Sequence, residues 1–307
     1  MPPSEPRVAW VFPGQGSQEP GMGHDLYTQS PAARAVFDRA DRVLGRAISR
    51  LCFDAPAGEL GKTANAQPAI YVASVACLEA AREAGALERR PAFVAGHSLG
   101  EYSALTAAGA LPFDAGLRLV DARGRLTQAA ADATPGKMAA LLGLDEAACA
   151  AVCAETGAEL CNINSPGQIV IGGTLDAVER ACKLALERGA KRAIPLDVGG
   201  AFHTSLMEPA VAPMREEVAA AQITDPAVAL VANDRALPVT DARAISDELT
   251  FQLTHAVRWV QCVEHMAAAG VTTFIEIGPG RVLTGLIRRI APQAETKNIN
   301  GVASLSA

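Results

Sequence analysis

Apolar positions in this chain fall into short unbroken runs separated by stretches with helical spacing, and the two patterns alternate. Residues 7–12, RVAWVF, read as an opening strand buried on both faces and stopped by the turn-forming PGQGSQ. Helical spacing over 31–44 and 67–83 leads to a second short run at 92–96. A small-residue helix over 100–110 and a longer helix over 114–131 follow. Such alternation predicts a parallel sheet covered on both faces, and an α/β fold.

Between about residues 133 and 199 the rhythm changes. A strand-like run at 137–143 precedes a helix at 145–156 with Asp145 and Glu146 in its first turn. Strands at 159–164 and 168–172 flank Ser165-Pro166-Gly167, a helix at 175–188 stops at Gly189, and a last strand spans 191–198. The order β-α-β-β-α-β is that of a ferredoxin-like unit. It predicts a small domain, 133–199, inserted into a larger one made of 1–132 and 200–307. Beyond it the α/β pattern resumes, with helices near 209–221, 246–253 and 259–269 and a strand near 228–232. A strand at 273–277 then runs through Gly278-Pro279-Gly280 into a helix ending near 290. The polar tail after Pro292 reads as loop.

Composition narrows this picture. Hydrophobic residues make up 50% of the 307 but aromatics only 4%, so the core is built mainly from Ala, Val, Leu and Ile. A net charge of −6 excludes the broad basic surface of a general nucleic-acid binder. The start, MPPSEPRVAW, has no cationic segment followed by an apolar one, and no apolar run is long enough to span a membrane. Seven cysteines without a C-x-x-C spacing fit a reduced set, so a cytoplasmic location is expected. Cys149 and Cys153, four apart on a predicted helix, read as small buried residues and not as a metal pair.

Candidate chemistry centres on Gly96-His97-Ser98-Leu99-Gly100, a G-x-S-x-G at a strand-to-helix join. There a serine becomes an exposed nucleophile, and the following helix aims N–H groups at an oxyanion. A helix-capping serine in a Gly-rich turn is the plainer reading, but the apolar run before and the helix after favour the nucleophile. Of five histidines, His97 adjoins Ser98 and is expected to point away in a structural role. His24, His255 and His265 lie where packing or surface roles are ordinary. His203, in DVGGAFHTSLM, sits where the chain leaves the insert and overlooks the interdomain cleft, which makes it the candidate base. Asp197, a carbonyl or an amide could each orient its imidazole, and the residues alone leave that open.

Six strings then occur in order: FPGQGSQ, GHSLGEYSAL, RLVDARGRLTQ, NINSPGQIVIGG, GAFHTSLM and IEIGPGRVLTGLIRRI. Through them the chain, from about residue 7 to about 300, resembles the malonyl-CoA:acyl carrier protein transacylases. The resemblance implies an α/β-hydrolase-like core with a ferredoxin-like insert. It implies Ser98 as the acyl-accepting nucleophile, His203 as its base, and the backbone N–H groups of Gln15 and Leu99 as the oxyanion hole. Arg123 would face the free carboxylate of the malonyl group; Arg118 and Arg125, in the same string, do not match that position. Gln252 would orient His203 through its main-chain carbonyl, a dyad that sets Asp197 aside. Phe202, just before His203, implies malonyl over methylmalonyl.

The implied reaction is ping-pong transfer from malonyl-CoA to the phosphopantetheine thiol of acyl carrier protein, in fatty-acid synthesis, by a monomer with neither metal nor resident cofactor. Carriers of this kind are acidic, so a docking face is expected among Arg180, Lys183, Arg188, Lys191 and Arg192, set against Glu179 and Glu187. One departure stands out: Ala256 occupies a place where many members carry proline, in the loop after Gln252, which would loosen the support of His203. Rival readings are a free-standing acyltransferase of a polyketide pathway, a serine thioesterase, and a carrier-binding protein without activity. The intact Ser98, His203, Arg123 and Gln252 speak against the last.

Overall fold

The computed structural model describes residues 7–87 and 89–305, so the reading of the first six residues lies outside it. Ten strands occur among the described residues. They are β1 (Arg7–Phe12), β2 (Phe93–Gly96), β3 (Gly136–Leu142), β4 (Glu159–Ser165), β5 (Gln168–Thr174), β6 (Arg192–Pro195), β7 (Leu230–Val231), β8 (Pro238–Val239), β9 (Val271–Ile277) and β10 (Glu295–Ile299). One sheet has the order β10-β9-β1-β2-β7-β8 and the other β4-β5-β3-β6. In the first, every pair is parallel except the short β7–β8 hairpin.

The strand β1 explains why its run had to be unbroken. Val8, Trp10 and Phe12 pack on one face with Ile70 and Tyr71 of the Thr63–Glu83 helix. Ala9 and Val11 pack on the other with Trp259, Val263 and Leu286. A strand sandwiched this way has no polar face, and each large side chain so buried contributes roughly 1.5–3 kcal/mol.

The second sheet is antiparallel throughout and carries the helices Glu146–Thr156 and Leu175–Glu187 on one face. Its period of two is visible in β3 and β5. Ala139, Leu141, Ile169 and Ile171 pack toward those helices, where Cys149 and Cys153 are also buried. Met138, Ala140 and Val170 face the other way, joining Leu196, Val198 and Phe202. Asp145 and Thr174 cap the two helices by accepting from the N–H groups of Ala148 and Ala177, each cap being worth about 1 kcal/mol. Burial pushes the Cys149 thiol up to about 11 and that of Cys153 up to about 12.

Some sequence expectations need correction. The tail after Pro292 is not loop: Glu295–Ile299 pairs in parallel with β9 as the sheet edge. Its exposed Glu295 and Lys297 hid it, because an edge strand is held by backbone hydrogen bonds and needs few apolar side chains. The strand expected over 191–198 is only Arg192–Pro195, since Leu196–Val198 peels away to line a cleft. The strand near 228–232 shrinks to two residues and gains the unforeseen β8. Helices at His24–Gln29, Ile48–Asp54 and Ala57–Leu60 are too short for their periodicity to have shown. Among the described residues no helix is long and apolar enough to cross a membrane, and no cluster of three or more His, Cys, Asp or Glu is placed to hold a metal ion.

Candidate active site

Strand β2 ends at Gly96, and the helix Gly100–Ala107 begins four residues later, with Ser98 at the apex. Both flanking glycines are sterically required. A Cβ on Gly96 would lie 1.9 Å from the carbonyl carbon of Gly100, and one on Gly100 would lie 2.1 Å from the carbonyl oxygen of Phe12. Ser98 itself has φ 52°, a costly conformation for a residue with a Cβ. A side chain far along the chain holds it: the Ser98 N–H donates to Asn233 Oδ1 at 2.7 Å, and Asn233 Nδ2 donates to the Gly96 carbonyl at 2.7 Å.

His203 lies in the loop after β6, also at positive φ, 63°, and is 5% exposed. Its Nε2 lies 2.7 Å from Ser98 Oγ. Its Nδ1 faces two main-chain carbonyls, those of Gln252 at 2.8 Å and His255 at 3.1 Å. Carbonyls only accept, so Nδ1 carries the proton and Nε2 is left to accept from the serine. Burial above all, then the charge of Arg123, holds the imidazole neutral by driving its pKa down to about 3. Asp197 is exposed on the cleft wall and takes no part in holding the ring.

Arg123 projects from the Phe113–Ala133 helix and is 5% exposed. One terminal nitrogen donates to Ser98 Oγ at 3.0 Å and to Gln252 Oε1 at 2.8 Å; the other donates to Gln67 Oε1 at 2.8 Å. Its guanidinium carbon stands 5.7 Å from the centre of the Tyr102 ring. Neither of its neighbours in the string reaches the site: Arg118 binds the Val43 carbonyl and Arg125 pairs with Asp121, both at the surface. A buried cation held by amides and a hydroxyl is well suited to an anionic ligand, because nothing of opposite charge must first be displaced.

These groups open on a cavity of about 470 Å³ between the C-terminal ends of the parallel strands and the face of the second sheet that carries Met138 and Val170. Gln15, Met138, Val170 and Phe202 share its walls with Ser98 and His203. The N–H groups of Gln15 and Leu99 donate to no acceptor among the described residues. His97 does have a structural anchor: Nε2 lies 2.8 Å from Asn164 Oδ1, and the ring packs 5.8 Å from that of Trp259.

Sequence reasoning gave no role to Gln67, Asn233 or Glu101, which hydrogen-bond to Arg123, to the Ser98 turn and to the Gln252 amide respectively. It also treated His255 as a side chain. The ring is exposed against Phe251, and what serves the site is the carbonyl, which any residue could supply. Nor does Ala256 leave its loop unsupported. Val257 N–H donates to Cys161 O at 2.8 Å, Ile163 N–H to Val257 O at 2.9 Å and Arg258 N–H to Asn233 O at 3.0 Å, which tie the loop to β4 and to the Asn233 segment.

Comparison with known proteins agrees with this geometry. The family model described as acyl transferase domain matches residues 9–305. A malonyl CoA-acyl carrier protein transacylase of Bacillus subtilis (strain 168) is 47% identical over 295 residues, which cover 94% of this chain and 92% of that protein. An acyl carrier protein S-malonyltransferase from Vibrio cholerae superposes with TM-score 0.93 at 44% identity, over 98% of this chain and 99% of the other. A malonyl-transacylase solved in complex with its type II PKS acyl-carrier protein does so with TM-score 0.93 at 41% identity, over 98% of each chain. By sequence over nearly its whole length, and by the fold that builds the Ser98–His203 contact, this chain belongs to the acyl transferase domain family.

Proposed function

We propose that the protein transfers the malonyl group from malonyl-CoA to the phosphopantetheine thiol of acyl carrier protein, through a malonyl ester on Ser98. The observation that carries this is the 2.7 Å contact between Ser98 Oγ and a neutral, carbonyl-anchored His203, beside the buried guanidinium of Arg123. In the first half-reaction Ser98 Oγ bonds to the thioester carbonyl carbon while His203 Nε2 takes its proton. The N–H groups of Gln15 and Leu99 receive the oxyanion. The intermediate collapses by breaking the C–S bond, and His203 returns the proton to the CoA sulfur. In the second half the carrier thiol gives its proton to His203, its sulfur attacks the ester, and Ser98 leaves with that proton restored. Arg123 grips the malonyl carboxylate, and Phe202 crowds the α-carbon against a methyl branch. A difference of one methyl is worth about 1–3 kcal/mol, so methylmalonyl is disfavoured but not barred. No group beyond these side chains is needed.

The strand order β4-β5-β3-β6 supports reading residues 133–199 as a ferredoxin-like insert in a hydrolase-like domain made of 1–132 and 200–307. We place the protein in the cytoplasm, as a monomer. Fatty-acid synthesis is the first reading of its pathway. The complex of a similar transacylase with a type II PKS carrier favours a second, the same chemistry in a polyketide pathway.

Intact mass spectrometry after mixing with malonyl-CoA, and again after adding carrier protein, tests the function. A malonyl adduct on Ser98 that persists in water and then moves to the carrier is expected. Release of free malonate without transfer would make the protein a thioesterase.

The pH dependence of acylation checks His203. A base with a pKa near 3 stays neutral well below the usual histidine range, so the single-turnover rate with malonyl-CoA is expected to hold from pH 8 to pH 5. A histidine near 6.5 would lose about 30-fold at pH 5. Stability responds over a higher pH range than the rate does. Because the folded value lies below the unfolded one, the stability of the neutral buried ring is full above about pH 6.5 and declines as pH falls toward 3.

For docking, the basic patch on the insert is smaller than its sequence indicates. Arg180 pairs with Asp176 and Arg188 with Glu155, whereas Lys191 and Arg192 are exposed without a carboxylate partner among the described residues. Reversing both charges, Lys191→Glu with Arg192→Glu, is expected to raise KM for carrier protein several-fold and to leave acylation by malonyl-CoA unchanged. An unchanged KM for carrier would remove this face from consideration.

A further inference from the structure

Directly behind Ser98 lies a buried carboxyl pair that the chemistry above does not use. Glu101, on the first turn of the Gly100–Ala107 helix, is fully buried, and Glu248, on the Ala242–Phe251 helix, is 7% exposed. The two carboxyls are close enough to influence each other's charge. Burial and the neighbouring charge of Glu248 hold Glu101 well above the usual carboxylate range. Two acids in a protein interior are costly, and apolar residues of the same size would pack there more cheaply.

What the pair touches gives it a task. Glu101 Oε1 accepts from the Asn233 N–H at 2.7 Å, and Asn233 is the residue that clamps the Ser98 turn. Glu101 Oε2 accepts from Gln252 Nε2, which also donates to the Ser98 carbonyl at 3.0 Å. The opposite end of that amide, Oε1, accepts from Arg123 at 2.8 Å. An amide can be turned end for end at little cost unless its partners dictate otherwise. Here the acceptor on one side and the guanidinium on the other leave Gln252 a single orientation. We propose that Glu101 is a positioning residue that locks the Gln252 amide and thereby sets the guanidinium of Arg123 for the substrate carboxylate.

This rests on the reading of Arg123 given above, and it makes an asymmetric prediction. In Glu101→Gln, the new amide keeps its oxygen on Asn233 N–H and turns its NH₂ toward Gln252 Nε2. Two donors then face each other, Gln252 turns over, and its NH₂ is set against Arg123. In Glu248→Gln, Glu101 keeps both acceptor oxygens, the new amide can still accept from the Asp234 N–H, and Gln252 is undisturbed.

The experiment compares kcat/KM for malonyl-CoA and for acetyl-CoA, which has no carboxylate, in wild type and both variants, with thermal unfolding alongside. Glu101→Gln is expected to lose at least ~10-fold with malonyl-CoA while acetyl-CoA changes little, so the donor preference narrows. Glu248→Gln is expected to keep the preference. Equal loss with both donors in Glu101→Gln, as a general loosening of the fold gives, overturns the proposal, and so does an unchanged malonyl rate. A preference lost equally in Glu248→Gln overturns it too, and this variant decides the matter if Glu101→Gln does not fold. Wild-type protein that acquires a malonyl adduct while Glu101→Gln behaves normally sinks this proposal alone. Wild type that acquires none sinks the functional reading and this with it.

Discussion

Ser98→Ala protein mixed with malonyl-CoA is expected to acquire no malonyl adduct, and its transfer to carrier protein to fall by about 10⁴-fold or more. The size of the effect follows from the kind of catalysis. Ser98 forms the covalent bond, so its loss removes the acyl-enzyme and both half-reactions, and the remaining groups can only hold substrate. Its Oγ is also the shared point of two contacts, accepting from Arg123 and facing His203 Nε2. Alanine leaves the positive-φ turn in place, since Asn233 clamps backbone atoms, so thermal unfolding should change little. Intact mass and a transfer assay read the outcome; an adduct on the alanine variant would place the nucleophile elsewhere.

Arg123→Ala carries the second large effect, and it is one of choice as well as rate. A charge-assisted hydrogen bond contributes about 1.5–3 kcal/mol, so kcat/KM for malonyl-CoA is expected to fall ~10- to 100-fold. Acetyl-CoA, which leaves the guanidinium unpaired in the wild type, is expected to hold or gain, and the preference for the dicarboxylic donor to collapse. Lysine should not restore it, because a single ammonium cannot reproduce the two-pronged grip or reach Gln67 and Gln252 together. A second signature accompanies the first. Arg123 is the second cause, after burial, of the depressed His203 value, so its removal should raise that value while leaving it below 6.5. The acylation rate of the variant should therefore begin to fall at a higher pH than that of the wild type. Competition between the two acyl-CoA donors, followed by mass, measures the choice directly; an unaltered preference would mean that the carboxylate is held elsewhere.

Much of this was readable beforehand where function depends on local sequence. Gly96 and Gly100 could be named because a sharp turn forbids a Cβ at each, a constraint written into the five residues themselves. The β-α-β-β-α-β order over residues 136–195 likewise lies in periodicities that switch between two and 3.6. By contrast, Glu295–Ile299 looked like a tail because a strand's membership of a sheet edge is decided by its neighbour's backbone.

The same division runs through the site. By itself the sequence determined the elbow, with Ser98 as candidate nucleophile and His203 as candidate base, and through the family resemblance it gave Arg123 its candidate role. Only the tertiary structure decided how they work together. It brought His203 to Ser98 across 105 residues, set two carbonyls against Nδ1 to fix the tautomer, and removed water so that the ring stays neutral. It also enlisted Gln67, Asn233 and the Glu248–Gln252 helix end from three other segments, which meet Glu101 of the elbow helix. Distances and burial arise from packing between segments far apart in the chain, so residues whose whole contribution is where they stand leave no mark in the pattern around them.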